Sequence, residues 1–373
     1  MNTVFRCYAS SAFGMEGLVS NELKHLNIEN VSAENGGVCF SASASQLFWI
    51  NLHMHFCDRV FIVLGSSLCY TFQDLYDLVY NIDWRCFFSG NESIDISCKC
   101  IRSKLMSPRD CQSVAKKAVI EKIRSTTEQT FFPESGLSLP IHITVRNDQA
   151  KIMLNTSGAA LSRRGYRTWN GEAPLRETLA AALVQLSGWR PGKPLHDPCC
   201  GTGTILCEAA LIASGKAPGY DRSFAMEGFP CFSQIGFNQI RSNSLPVSDV
   251  DRDLLISGSD IDEAALDLAR RHIRQAGIRP ESVHLSHIPL QQLNMNTENG
   301  VFICNPPYGE RLSDQEHCRQ LYRDLFKLWQ RHQTWRMCVI SSDPAFERSF
   351  GKKASKKRRL YNGRLECVYY IYD

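Results

Sequence analysis

Apolar and polar positions follow two different rhythms along this chain. Up to about residue 160, short strand-like runs and helices are interleaved at short intervals. FRCYASSAFG reads as a strand, and Leu18, Val19, Leu23 and Leu26 fall at helical spacing within Met15–Leu26. Asn35-Gly36-Gly37 is a turn ahead of the strand VCFSAS, so residues 1–60 read as short strands around one helix. RVFIVLGSSLCY, a helix near Phe72–Asn81 and the strand SIDISCKC follow. Asp110–Ser125 is amphipathic, with Val114, Ala118, Val119 and Ile123 on one face and lysines opposite. After a break at Phe131-Phe132-Pro133, PIHITVRND and KIMLNTSG read as strands, giving an α+β first half.

Beyond residue 160 apolar strands alternate with longer helices. PLHDPCC leads into a helix at Thr204–Ser214, LLISGSDID into one from Asp262 to Ala276, and GVFICNPPYG precedes one around Gln315–Arg331. That alternation predicts a doubly wound parallel sheet with helices on both faces. At the end, Asn362-Gly363 between KKRRLY and RLECVYYIYD signals a hairpin, so the last strand should run antiparallel.

Length and composition fit this division. The chain has 373 residues, 43% of them hydrophobic and 21% charged, enough for two or more folded domains. The N-terminus MNTVFRCYAS carries no signal-like segment, and no apolar run reaches the ~18 residues of a membrane span. The 16 cysteines follow no secreted disulfide pattern and sit largely among apolar residues, which leads us to expect a reducing cytoplasm. No C-x-x-C or H-E-x-x-H occurs; Cys98-Lys-Cys100, His53-x-His55 and Cys199-Cys200 have poor zinc spacing, and we expect no metal.

The net charge of +4 conceals a segregation. Residues 99–124 carry +6, residues 163–176 carry +3 and residues 348–364 carry +8, leaving −13 for the remainder. A single basic run is usually a solvated face; three together predict a polyanion-binding surface. The candidate contacts are Arg102, Lys104, Lys116 and Lys117 in the first stretch, Arg163, Arg164 and Arg167 in the second, and Lys356, Lys357 and Arg358 in the third.

Three motifs carry chemistry. Asp197-Pro198-Cys199-Cys200-Gly201-Thr202-Gly203-Thr204 turns from a strand into a helix, where glycines allow close ligand approach and the helix start offers free N–H groups. Leu206 stands where a dinucleotide fingerprint needs Gly or Ala, which disfavours a nicotinamide oxidoreductase. Asp260 ends the next strand, placed to accept from ribose hydroxyls, although Asp260 or Asp262 can instead cap the following helix. Asn305-Pro306-Pro307-Tyr308 follows the strand VFIC. The Asn305 amide oxygen and the Pro306 carbonyl can both accept from one exocyclic amine, with Tyr308 stacking on the base.

Together these motifs resemble those of S-adenosylmethionine-dependent amino methyltransferases. GYRTWNGEAPLRETLAAALVQLSGW, APGYDRSFAMEGF, NPPYGERL and the front segments RSKLMSPRDCQSVAKKAVIEKI and LNTSGAALSRRGYR resemble the THUMP-containing RNA guanine-N2 methyltransferases, in their RlmL-like and YpsC-like branch. The resemblance implies a ferredoxin-like part over residues 1–55, a THUMP RNA-binding domain over 56–158 and a Rossmann-like methyltransferase domain over 159–373. It implies a cofactor over Asp197, Cys200, Gly201, Gly203 and Thr204, with Asp260 on the ribose and Ile261 on adenine. Arg176 and Thr178 would line the methionine end. The family's acid near the third strand is missing, so Gln292 or His287 would take its place. The implied reaction is methyl transfer to the N2 amine of a flipped guanosine in 23S rRNA, held by Asn305, Pro306, Pro307 and Tyr308, without a strong base or metal. A tRNA guanine-N2 methyltransferase, a DNA or RNA adenine-N6 methyltransferase and a non-catalytic RNA-binding assembly factor remain as alternatives.

Overall fold

The computed structural model describes residues 3–88, 90–126, 133–167, 175–244, 253–308 and 315–373. Met1, Asn2, Phe131, Phe132, residues 168–174 and residues 309–312 of the segments above lie outside the described residues. In chain order the elements begin β1 (Val4–Ser10), α1 (Glu16–His25), β2 (Glu29–Glu34), β3 (Gly37–Ser43), α2 (Ala44–His53), β4 (Arg59–Leu68) and α3 (Phe72–Tyr80). Then come β5 (Ser93–Ile101), α4 (Pro108–Thr126), β6 (Ser138–Arg146), β7 (Gln149–Asn155), α5 (Glu177–Leu186), β8 (Leu195–Asp197), α6 (Thr204–Ser214) and α7 (Phe237–Ser242). The remainder are β9 (Ile256–Asp260), α8 (Glu263–Gln275), β10 (Val283–His287), β11 (Val301–Cys304), α9 (Gln315–Arg331), β12 (Arg336–Ser341), α10 (Phe346–Phe350), β13 (Lys356–Asn362) and β14 (Leu365–Tyr372).

Two compact units emerge, neither contiguous in sequence. One takes residues up to Ser11, Val19–Leu161 and Ser223–Asn243; the other takes Ala12–Leu18, Ser162–Arg222 and Ser244–Asp373. Among the described residues no helix is long and apolar enough to cross a membrane.

In the first unit the sheet order is β2-β3-β1-β4-β7-β6-β5, antiparallel throughout except for the β5–β6 pair. Leu139, Ile141, Ile143 and Val145 of β6 point inward at every second position, the period a half-buried strand imposes. Helix α4 packs on α3 and β5 with Cys111, Ala115, Ala118, Val119 and Ile123 buried. The expected Val114 is only half-buried, because the stripe runs through Ala115 instead. Helix α2 is an addition to the one helix expected in residues 1–60. Ser43 accepts from the Gln46 backbone N–H while the Gln46 side chain accepts from Ser43 N, a capping box that starts the helix.

The second unit is the expected doubly wound sheet, in the order β10-β9-β8-β11-β12-β14-β13. The pairs β10–β9, β9–β8, β8–β11 and β11–β12 are parallel, and β14 runs antiparallel to both β12 and β13. The hairpin at Asn362-Gly363 thus inserts its second strand inside the sheet and leaves β13 at the edge. Phe302, Trp335, Met337, Val339, Phe346, Phe350 and Tyr372 fill the core beneath α9 and α10. The strand order reverses between β8 and β11, and in such sheets the ligand crevice opens beyond the strand ends at that reversal.

Candidate active site

Asp197, Asp260 and Asn305 lie at or just beyond the carboxyl ends of three neighbouring strands, β8, β9 and β11. The loop after β8 is held by its neighbours through backbone hydrogen bonds. Cys199 N donates to Asp197 Oδ1 (3.2 Å), Cys200 N to the Ser259 carbonyl (3.0 Å) and Gly201 N to Asp260 Oδ2 (2.7 Å). Gly203 N closes the turn on the Cys200 carbonyl at 2.8 Å, and His272 of α8 donates from Nδ1 to the Thr202 carbonyl at 2.9 Å. Gly203 has φ +78°, and a Cβ there would meet Ala269 Cβ at 3.0 Å, so glycine lets α6 start against α8. Gly201, at φ +50°, faces open space: a Cβ would meet nothing within 4 Å. Thr204 is buried as the first residue of α6.

The two acids beside β9 divide their roles. Asp262 caps α8, accepting from Ala264 N (2.9 Å) and Ala265 N (3.3 Å). Asp260 instead spans the strand end, taking Gly201 N on one oxygen and Asp262 N on the other. Each carboxylate oxygen has further acceptor capacity for hydroxyls. Asp197 is 2% exposed, and burial pushes its carboxyl well above the usual range; the Cys199 N–H pulls the other way and Asp260 adds to the rise. Ile261 is 67% exposed beside Asp260, an apolar platform at the cleft. His287 pairs with Asp260 in the β9–β10 register, and its Nε2 meets the Ile261 carbonyl at 2.9 Å. Gln292 is exposed at the end of the short 3-10 turn Leu290–Gln292. Arg176, exposed, is the N-cap residue of α5, and Thr178 is buried in its first turn. An open glycine loop, an exposed apolar side chain and a carboxylate with spare acceptors suit a nucleoside-bearing ligand.

Across the strand reversal, the Tyr308 hydroxyl donates to Asn305 Oδ1. Pro306 is buried and Pro307 exposed, and the Tyr322 hydroxyl donates to the Pro307 carbonyl at 3.3 Å, bracing the turn from α9. The Tyr308 ring is half-buried with Cys367 beside it, and burial raises its phenol. Its hydroxyl is tied to Asn305. Burial also holds the Cys200 and Cys304 thiols well above their ordinary value, Asp197 and Cys199 contributing respectively, so neither supplies a thiolate nucleophile.

Two of the basic residues expected to contact a polyanion do something else. Arg164 is 4% exposed, and its Nη2 lies 3.4 Å from Glu208 Oε2 in the middle of α6. The Tyr166 hydroxyl donates to the other Glu208 oxygen at 2.9 Å. Arg167 is almost as enclosed, donating to Thr204 Oγ1 and to the Leu175 carbonyl (2.9 Å), with Glu177 at 3.6 Å. The segment before β8 thus grips the start of α6 from behind. An acid at 208 within TILCEAALIAS was the available sign: a charge in an apolar helix needs a buried partner.

The remaining basic candidates are more open. Arg102, Lys104, Lys117, Arg163, Lys356 and Arg358 are exposed, Lys116 is 2.8 Å from Glu134 and Lys357 is paired with Glu347. One grouping was not legible from spacing: Cys98 and Cys100, set aside for their spacing, come together with Cys111 of α4, their Sγ atoms within 4.8 Å of one another.

Comparison with known proteins fits this geometry. The family model described as "RMKL-like, methyltransferase domain" matches residues 164–371, "RlmL ferredoxin-like domain" residues 6–61 and "THUMP domain" residues 69–155. The putative RNA methyltransferase YpsC of Bacillus subtilis is 36% identical over 366 residues, 98% of this chain and 94% of the relative. The ribosomal RNA large subunit methyltransferase K/L of Shewanella amazonensis is 33% identical over 99% of this chain; the chain spans 53% of that longer protein. The crystal structure of SMU.472, a putative methyltransferase complexed with SAH, superposes with TM-score 0.92 at 36% identity, covering 100% of this chain and 98% of that one. S-adenosylmethionine is accordingly the methyl donor. The chain belongs to the RMKL-like methyltransferase family, with ferredoxin-like and THUMP domains at its N-terminal end.

Proposed function

We propose that this chain is a cytoplasmic RNA methyltransferase that modifies the exocyclic N2 amine of a guanosine in 23S rRNA. The observation that carries the reading is the Asn305 amide, placed after β11 across the strand reversal from the Asp197–Gly203 loop. S-adenosylmethionine supplies an electrophilic methyl group when bound. Asp260 would hold its ribose, Ile261 its adenine, and Arg176 and Thr178 its methionine end, with Gln292 near the adenine. A flipped base entering the cleft would replace the Tyr308 hydroxyl at Asn305 Oδ1 with its own amine. Asn305 and the Pro306 carbonyl would then orient the amine lone pair for in-line attack, the N–CH3 bond forming as the donor's S–CH3 bond breaks, with S-adenosylhomocysteine leaving and the amine proton passing to water; their part is positioning chemistry.

RNA as substrate is supported by the THUMP match and by the relatives' names. Arg102, Lys104, Arg163, Lys356 and Arg358 would meet phosphates directly; Lys116, Lys117 and Lys357 would do so by exchanging Glu134, Glu121 and Glu347 for them. The test is nucleoside mass spectrometry of rRNA and tRNA from a strain lacking the protein, with the purified chain and labelled cofactor in parallel. Loss of one N2-methylguanosine from 23S rRNA, restored by the wild type and not by Asn305→Ala, is the expected result. Asn305→Ala should cost about 100-fold or more in rate while cofactor affinity stays within about threefold. A missing tRNA guanosine mark, a missing N6-methyladenosine or no methyl transfer at all would overturn the assignment.

A further inference from the structure

We propose that Cys98, Cys100 and Cys111 form a three-thiolate site for one soft, thiophilic metal ion of the copper(I) class. Cys98 and Cys100 are two residues apart on β5 and so project from the same face of the strand. Helix α4 packs against β5 and brings Cys111, in its first turns, to the same place. The Sγ atoms of Cys98 and Cys100 are 3.9 Å apart, those of Cys100 and Cys111 also 3.9 Å, and all three lie within 4.8 Å of one another. Three sulfurs placed trigonally at the usual ~2.3 Å metal–sulfur distance would be about 4.0 Å apart. The cluster is therefore within a few tenths of an ångström of a trigonal site along two edges, and its third edge is no longer than 4.8 Å.

The donor set selects the ion. Among the described residues no fourth Cys, His, Asp or Glu joins the group, whereas structural zinc sites take four protein ligands. Three thiols with no imidazole or carboxylate suit the softest common ion, one content with three sulfurs. Cys111 is buried while Cys98 and Cys100 are half-exposed, so the site is anchored at its base and open to an entering ion. Binding needs no change of oxidation state: metal–sulfur bonds form as the thiol protons leave to solvent. An ion there would tie α4 to β5 and fix the ends of residues 102–107 between them, the segment that bears Arg102 and Lys104. The metal site itself does not rest on any assignment of RNA contacts.

The experiment uses the full chain, reduced and free of oxygen, titrated with copper(I) against the chelator bathocuproine disulfonate. One copper per chain should survive the competition, with X-ray absorption showing three sulfurs at about 2.3 Å. Cys100→Ser, checked to melt as the wild type does, should weaken binding at least 100-fold. Cys86→Ser and Cys231→Ser, at exposed cysteines outside the cluster, should leave it unchanged. No copper held against the chelator, two-sulfur coordination, or a copper count indifferent to Cys100→Ser would overturn the proposal. Zinc(II) retained on three sulfurs while copper(I) is not would overturn the choice of ion.

Discussion

The Arg164–Glu208 pair offers a sharp test, because sequence charge counting and the fold assign Arg164 opposite roles. The side chains are 2% and 0% exposed, and Glu208 has the Tyr166 hydroxyl as a second partner at 2.9 Å. Arg164→Met keeps most of the side-chain volume and removes the charge, leaving Glu208 buried with one neutral donor. Stranding one member of a buried pair costs about 3–5 kcal/mol. The retained Tyr166 contact places this case near 3 kcal/mol. In a unit of about 200 residues that lowers Tm by about 6–12 °C. The double variant Arg164→Met/Glu208→Gln removes both charges and keeps an acceptor for Tyr166, so it should recover about 2 kcal/mol, a coupling typical of residues in contact. Urea unfolding followed by circular dichroism measures all three, and filter binding measures RNA affinity of the folded proteins. If Arg164→Met changed stability by less than about 1 kcal/mol while RNA affinity fell tenfold, the buried-clamp reading would be wrong and Arg164 would be an RNA contact.

Three further outcomes are expected. Asp260→Asn should weaken cofactor affinity by roughly 10–100-fold in calorimetry, since it removes charge-assisted bonds to ribose hydroxyls worth about 1.5–3 kcal/mol each; unchanged affinity would refute that role. His196, in β8, has Nδ1 2.8 Å from Ser257 Oγ and Nε2 3.0 Å from Ser259 Oγ, and burial followed by His332 pushes it down to about 3. Its folded value lies below its unfolded one near 6.5, so its contribution to stability is present above pH 6.5 and is lost as pH falls toward about 3, at about 1.4 kcal/mol per pH unit. The urea midpoint of the wild type should therefore fall more steeply than that of His196→Asn between pH 6 and 4, and parallel slopes would refute it. Finally, Lys356→Ala and Arg358→Ala should each reduce the salt dependence of RNA binding by about one phosphate contact, measured as the slope of log affinity against log salt; an unchanged slope would leave the two residues only the task of blocking strand addition at the β13 edge.

Elements were legible where local chemistry fixes both ends. Helices α6 and α9 begin and end at the residues expected from sequence, and α8 lies within its expected span because Asp262 caps its start and Gly277, at φ +71°, follows its end. The Asn362-Gly363 hairpin was equally local, though its insertion of β14 beside β12 was not, since two residues of turn say nothing about which strand joins the sheet. Helix α5 escaped because ETLAAALVQL is buried on nearly every side and shows no polar face. The signal for α2 was present in Ser43-x-x-Gln46, hidden by an apolar run that resembles a strand as much as a helix.

The same division between local and distant separates what could be read of the site. Asp197, Gly201, Gly203, Asp260 and Asn305 lie at the strand ends where the sequence places them, because each motif is held within a few residues. Arg164 and Glu208 are 44 residues apart, and a window of charges gives Arg164 the same weight as its exposed neighbour Arg163. Only packing distinguishes them: Gly165 and Tyr166 turn the chain inward, and once Glu208 is buried in α6 the nearest guanidinium must follow it. The cysteines invert that case. Cys98-Lys-Cys100 fails as a metal motif in sequence because its third donor arrives on a helix, at a distance no spacing rule covers. Net charge and cysteine spacing are both one-dimensional counts: the first misplaced Arg164, and the second could not show that Cys111 joins Cys98 and Cys100.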